Sequence, residues 1–237
     1  MPDQALMLIP GVNCTASLFM HQMAAMGEGR ALLIPDHRSD ASIERIALRA
    51  LAAAPSRFAL CGLSMGGYIA LEIMRIAPAR VTRLALLDTR CRADTQEDGE
   101  RRGRLAELAD SGRFDDVHGI LWQKLVHPSR LADSGLEALV KGMMRETGAL
   151  AFSRQQHAVR QRRDYSDILP SIKVPTLVLV GEADQITPPE HSREMAAAIA
   201  NSTMVTIASC GHLATLEAPE AVNMALKEWM QREEHGA

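Results

Sequence analysis

The stretch FALCGLSMGGYIALEI, residues 58–73, decides how this chain is read. An apolar run of strand length stops at Gly62, a lone serine sits between glycines, and a helix-like run carrying Gly67, Ala70 and Ile73 begins at once. Gly62, Ser64 and Gly66 form the pattern G-x-S-x-G, in which a serine occupies a sharp strand-to-helix turn and the glycines keep side chains from colliding there. Such a turn pushes the Ser64 hydroxyl into the open. Residue abundances alone produce the pattern in roughly one chain in ten of this length, so the strand before it and the helix after it carry the reading. The alternative is a closely packed glycine turn without chemistry.

Outward from that turn, short apolar runs alternate with longer helical patterns. ALMLIPG (5–11), ALLIPD (31–36), FALCG (58–62), RLALLD (83–88), TLVLVGEAD (176–184) and MVTIASCGH (204–212) are nearly continuous in apolar residues, as strands covered on both faces are. SLFMHQMAAMG, SIERIALRALAAA, MGGYIALEIMRIA, PPEHSREMAAAIA and PEAVNMALKEWMQREE read as helices between them. Thr187 and Glu190 form a candidate capping box around Pro188 and Pro189. The rhythm predicts an α/β fold, a doubly wound, mostly parallel sheet of about six strands. Ligands of such sheets bind beyond the carboxyl ends of the strands.

Residues 91–170 break the rhythm, because no strand-like run occurs there. Val117, Ile120, Leu121 and Leu125 share one helical face, and Leu136, Leu139, Val140 and Met143 share another. An all-helical insertion of this length exceeds what a crossover needs. The expected organisation is a core of residues 1–90 and 171–237, with a helical cap over residues 91–170; a peripheral helical subdomain is the alternative.

A serine hydroxyl is a weak nucleophile at neutral pH unless a base takes its proton, so Ser64 calls for a histidine held by a carboxylate. His212 ends a strand-like run in ASCGHLATLEAPE, and Asp184 ends the preceding one in LVLVGEADQITPPE. The order Ser64, Asp184, His212 is the chain order this arrangement requires. Asp88, in LALLDTR, also ends a strand and is the competing acid. His21, His118, His127, His157, His191 and His235 lie within or beside helical patterns, where solvated or packed roles are expected; His37, at another strand end, is the competing base. The backbone N–H groups of Met65, at a helix N-terminus, and Val12, in PGVNC, are the expected donors to an oxyanion, with Asn13 a possible substitute for Val12.

Taken together, GLSMGGYIALEI, GEADQITPP and CGHLATLEAPE resemble the α/β-hydrolase-fold serine hydrolases, of the esterase-like group with a helical cap, and the resemblance covers nearly the whole chain. It implies Ser64 as nucleophile, Asp184 as acid and His212 as base. Two departures stand out. Pro10 and Gly11 replace the usual His-Gly after the family's third strand, and only a few residues precede ALMLIPG, so the sheet should lack the family's first two strands. A serine at the elbow argues against the haloalkane dehalogenases and epoxide hydrolases of the same fold, which use aspartate there. Carboxylic ester hydrolysis comes first; lactone, thioester and C–C bond hydrolysis use the same triad. A ligand-binding receptor on this fold is the alternative from another class.

With 237 residues, 47% of them hydrophobic, the chain can bury one sizeable core. A net charge of -3 provides no basic face for a phosphate backbone, so the expected partner is a small-molecule acyl substrate rather than nucleic acid. MPDQALMLIPG carries too short an apolar run for a signal peptide, and no stretch approaches the roughly 20 apolar residues of a membrane span. A cytoplasmic location is expected. Cys14, Cys61, Cys91 and Cys210 lie far apart without metal-ligand spacing, so reduced, mostly buried thiols are expected, and neither a metal nor a cofactor. Asn13, Trp122, Met143 and Phe152 are the candidate pocket residues. The apolar cap faces favour a neutral, small to medium acyl group, while Arg160, Arg162 and Arg163 offer an alternative clamp for a substrate carboxylate; solvated arginines are the expected reading.

Overall fold

The computed structural model describes residues 3–233. Strands β1 (Asp3–Ile9), β2 (Arg30–Leu33), β3 (Phe58–Leu63), β4 (Val81–Leu87), β5 (Thr176–Gly181) and β6 (Ser202–Ile207) form a single sheet in the order β2-β1-β3-β4-β5-β6. Every neighbouring pair is parallel. Parallel neighbours can be joined only by crossovers, and the helices supply them: α1 (Met20–Met26), α2 (Ile43–Ala53), α3 (Met65–Ile76), then α4 (Gln96–Asp110), α5 (Phe114–Leu125), α6 (Ser134–Thr147) and α7 (Ala149–Arg160) between β4 and β5, then α8 (Pro189–Ala198), α9 (Ala214–Glu217) and α10 (Pro219–Gln231). The winding reverses between β1 and β3, where sheets of this kind open a crevice at their carboxyl edge.

Side-chain alternation explains the continuous apolar runs. Met7, Ile9, Leu84, Leu86 and Val178 pack into one core with α2, α3 and α8. Their neighbours Leu6, Leu8, Ala85, Leu87, Leu177 and Leu179 pack into the other, with α1 and α10. A strand sandwiched in this way needs apolar residues at both parities. All of β3 and β5 is buried, whereas the edge strands β2 and β6 are partly exposed. Helix α3 is buried from Met65 to Met74, and its one acid, Glu72, is paired with Arg75 at 2.7 Å.

The four helices between β4 and β5 have an apolar cluster of their own, built on Leu105, Ala109, Val117, Met144 and Phe152. Helix α4 opens with a capping box in which the Thr95 hydroxyl and the Asp98 carboxylate each accept the other residue's N–H. The box expected at Thr187 and Glu190 does not form: α8 is preceded by Pro188 with no side-chain cap, because the Thr187 hydroxyl donates to Asp184 instead. All four cysteines are buried and unpaired, and burial pushes the Cys14 thiol up to about 12. Among the described residues, no helix is long and apolar enough to cross a membrane.

Candidate active site

Ser64 follows β3 and precedes the first residue of α3, with φ 56° and ψ −116°. A non-glycine residue there is strained and persists only where its surroundings fix it. They do so from several sides. The Ser64 N–H donates to Leu87 O at 3.0 Å, and the Thr89 hydroxyl donates to Ser64 O at 2.7 Å. A Cβ on Gly62 would overlap the Gly66 carbonyl, and one on Gly66 would overlap the Ile9 carbonyl. Both glycines of the motif are therefore required by backbone approach, which holds the turn tight and lifts the serine above the sheet.

His212 and Asp184 come from the loops after β6 and β5, which are laced together by Ala183 N–H donating to Cys210 O at 2.8 Å. His212 Nε2 lies 2.9 Å from Ser64 Oγ, and His212 Nδ1 lies 2.8 Å from Asp184 Oδ2. The remaining Asp184 acceptors are filled: Oδ1 takes the N–H groups of Ile186 and Thr187 at 2.8 and 2.9 Å, and Oδ2 takes the Thr187 hydroxyl at 2.7 Å. Burial works to raise the Asp184 carboxyl, but the His212 imidazole and these donors outweigh it and hold the group below its ordinary value. A carboxylate so held can fix the imidazole with its proton on Nδ1, leaving Nε2 free to accept.

Glu217 braces the histidine loop, a role sequence reading missed. Its Oε1 accepts Gly211 N–H at 3.0 Å and Leu213 N–H at 3.3 Å, on either side of His212. Its Oε2 accepts His127 N–H at 2.7 Å, and His212 N–H itself donates to Leu125 O at 3.0 Å, so the loop is tied to the end of α5. The only signal was an acid five residues beyond the histidine, one of many acids in the chain.

Asp88 is fully buried beside this assembly with φ 44°. Its Oδ1 accepts Gly181 N–H at 2.8 Å and its Oδ2 has no partner. Burial first, then the negative Asp184 nearby, push its carboxyl well above the ordinary value, so it is protonated where Asp184 is charged. His37 is also buried, but its ring lies against Pro35 O and Cys14 O, bracing the loop after β1. It does not approach Ser64 as His212 does. His235 lies outside the described residues.

A cavity opens over Ser64 and His212, lined by Val12, Asn13, Leu63, Leu121, Met144 and Leu213 among others. Gly11 brings the loop after β1 against the serine: a Cβ there would lie 3.2 Å from Ser64 Cβ. The Asn13 N–H is committed to Gln155 Oε1 at 2.9 Å, which removes it as an oxyanion donor. The Val12 N–H makes no hydrogen bond within the described residues, and the Met65 N–H, first in α3, has no intrahelical acceptor.

Of the candidate pocket residues, Asn13 lines this cavity, whereas Trp122, Met143 and Phe152 do not. Phe152, 0% exposed, is a core residue of the helical layer, and Met143, 2% exposed, packs into the core shared with the sheet and α1. Trp122 donates to Leu131 O and stacks on His118. Helical periodicity put Met143 on an apolar face but could not separate a face turned to the packed core from one turned to the cavity. Arg162 is buried rather than solvated, bonded to Asp94 at 2.6 Å, while Arg160 and Arg163 are exposed. Sequence reading missed the polar groups that do line the cavity: Tyr68, Arg101, Arg102, His118 and Gln156. Among the described residues, no cluster of His, Cys, Asp and Glu could hold a metal ion.

The chain is similar to several known proteins. A thermophilic esterase from Thermogutta terrifontis superposes with a TM-score of 0.87 at 28% identity, covering 96% of this chain and 89% of that one. BpoC of Mycobacterium tuberculosis (strain H37Rv), named as a non-heme bromoperoxidase, is 31% identical over 181 residues, 73% of this chain and 67% of that protein. A pimeloyl-[acyl-carrier protein] methyl ester esterase of Nitrosomonas europaea is 25% identical over 222 residues, 85% of this chain and 81% of that protein. Residues 6–225 match the profile of the alpha/beta hydrolase family; the chain belongs to that family and is a hydrolase of the six-stranded form.

Proposed function

We propose that this hydrolase cleaves a small to medium carboxylic ester through an acyl-enzyme on Ser64. The observation that carries the reading is the unbroken relay Ser64 Oγ, His212 and Asp184, at 2.9 and 2.8 Å, beneath a cavity. Ser64 Oγ attacks the ester carbonyl as its proton passes to His212 Nε2, and Asp184 stabilises the imidazolium that forms. The Val12 and Met65 N–H groups receive the oxyanion. Collapse expels the alcohol, which takes the proton from His212, and a water activated by the same nitrogen then releases the acid. Helices α4–α7, within residues 91–170, act as a cap over the core formed by residues 1–90 and 171–237. Four buried free thiols fit a reducing, cytoplasmic setting. Esters rank ahead of lactones, thioesters and C–C bonds because the esterases match at 28% identity over 89% of one chain and 25% over 81% of the other, whereas the C–C bond hydrolases match over 62% of their length and the enol-lactonase at 21% identity shows the fold alone.

The test is hydrolysis of p-nitrophenyl esters of graded acyl length, with labelling by a fluorophosphonate. Turnover, with one label on Ser64, is expected; Ser64→Ala should lose both while keeping its unfolding temperature. More than a few per cent of activity in Ser64→Ala removes the assignment, and a folded wild type that takes the label but turns over no ester points to another acyl bond.

A further inference from the structure

We propose that the cavity over Ser64 is built for an acyl substrate bearing an anionic group, held by the guanidinium groups of Arg102 and Arg101. This rests on the hydrolase reading above and adds a substrate class to it.

The cavity lining is of two kinds. Leu63, Leu121, Leu125, Val140, Met144 and Leu213 are apolar, while Arg101, Arg102, Tyr68 and Gln156 bring polar groups, with Arg102 bonded to Gln156. Both arginines come from α4, and they belong to a network that is not neutral. Asp94 pairs with Arg90, Arg102 and Arg162, each at 2.6 Å. Asp98 pairs with Arg90 at 2.8 Å and Arg101 at 2.6 Å. Four guanidinium groups thus share two carboxylates, leaving two positive charges uncompensated. The Arg162 guanidinium also stacks on the Tyr68 ring at 4.1 Å, adding positive potential behind the cavity wall.

Arg102 is the best placed of the four. Its side chain is 14% exposed. Nε donates to Asp94 Oδ2 at 2.6 Å and Nη1 to Gln156 Oε1 at 3.1 Å, which fixes the plane of the group. Nη2 makes no hydrogen bond within the described residues. A guanidinium pinned on two corners and open on the third is preorganised for an oxyanion, because its orientation is fixed before binding. Holding excess positive charge in a largely apolar cavity is costly unless an occupant offsets it. Arg101, nearly half exposed at 46%, also borders an adjoining cleft lined by Arg90 and Lys124 against one acid, Asp98. That net-positive rim would draw an anion toward the cavity mouth.

Two measurements test this. In the first, methanol release from monomethyl glutarate is compared with release from a neutral methyl ester of similar size, methyl 5-oxohexanoate. We expect kcat/KM to favour the anionic ester about a hundredfold, near 2.7 kcal/mol of discrimination. Arg102→Gln should cut that ratio at least tenfold. Because Arg102 also holds Asp94, Arg101→Gln is the second variant, expected to lower the ratio severalfold; Arg163→Gln, exposed and paired with Asp167, should leave it as in wild type. In the second, calorimetric binding of glutarate to Ser64→Ala should weaken at least tenfold when Arg102→Gln is added. A ratio near one, or higher for the neutral ester, together with no Arg102-dependent glutarate binding, overturns the inference while hydrolysis itself stands. If neither ester is turned over but Ser64→Ala binds glutarate in an Arg102-dependent way, the anion site stands and the ester reading falls.

Discussion

Replacing Asp184 by asparagine tests the proposed relay most directly, because the hydrogen bonds around this carboxylate dictate which way an amide must sit. Oδ1 accepts two backbone N–H groups, from Ile186 and Thr187. The amide oxygen must stay there, since an NH2 at that position would leave both donors unpaired at about 1–3 kcal/mol each. The NH2 is therefore placed at Oδ2, 2.8 Å from His212 Nδ1. One of its hydrogens can go to the Thr187 hydroxyl oxygen at 2.7 Å; the other faces Nδ1, which must then accept, and this moves the ring proton to Nε2, the atom that must take the proton from Ser64. The wrong tautomer should reduce kcat by roughly four orders of magnitude, near 5.5 kcal/mol of barrier, with KM little changed. Asp88→Asn is the matched control. Asp88 is buried, and desolvation raises its carboxyl well above the ordinary value, which favours the neutral form; an amide is nearly the isostere of that form, with Oδ1 still accepting Gly181 N–H. Its cost should stay below about tenfold, or 1.4 kcal/mol. Steady-state hydrolysis of p-nitrophenyl acetate, normalised to folded protein by circular dichroism, gives both numbers. Retention of a tenth of wild-type kcat by Asp184→Asn, or a larger loss from Asp88→Asn, refutes the assignment and moves the acid to Asp88.

Glu217→Gln replaces one acceptor oxygen among three backbone N–H groups, so it should loosen the loop carrying His212; kcat is expected to fall about tenfold at unchanged KM, with no change in the bond-forming groups themselves. Equal kcat in the variant would show that the loop is held without this carboxylate. Asp88 also sets a pH dependence of stability. Its carboxyl is raised in the folded state, so its contribution is intact below the unfolded value near 3.9 and is lost as pH rises toward the folded one. Asp88→Asn removes that loss, and its unfolding temperature relative to wild type should climb as pH is raised from about 4 to neutrality; a difference that stays flat or falls contradicts the protonated state.

Strand positions and the elbow were legible in the sequence because they depend on local constraints. A strand covered on both faces must be apolar at both parities, and β3, β4 and β5 all declare themselves in this way. Gly62 and Gly66 flank Ser64 because backbone meets backbone there, a demand that any chain folding through this turn has to satisfy with glycine. Asp184 and His212 could be named as candidates because they follow strands, in the loops after β5 and β6, in the order the fold requires. What lines the cavity was not legible. Trp122, Met143 and Phe152 were the apolar candidates for its wall, yet Trp122 and Met143 pack into the core shared with the sheet and α1, and Phe152 packs among the helices; Arg101 and Arg102, in the charged run ERRGR, carry no pattern that marks them, and they border the cavity. The capping signal at Thr187 was overridden when its hydroxyl met Asp184, and the role of Glu217 exists only because the loop after β6 folds back beside α5. A pattern along the chain reports which side of an element is apolar. Which partner that side meets, and whether a charge there faces water or a substrate, is fixed only when α4–α7 settle over the sheet, since burial and ion pairing depend on neighbours distant in sequence.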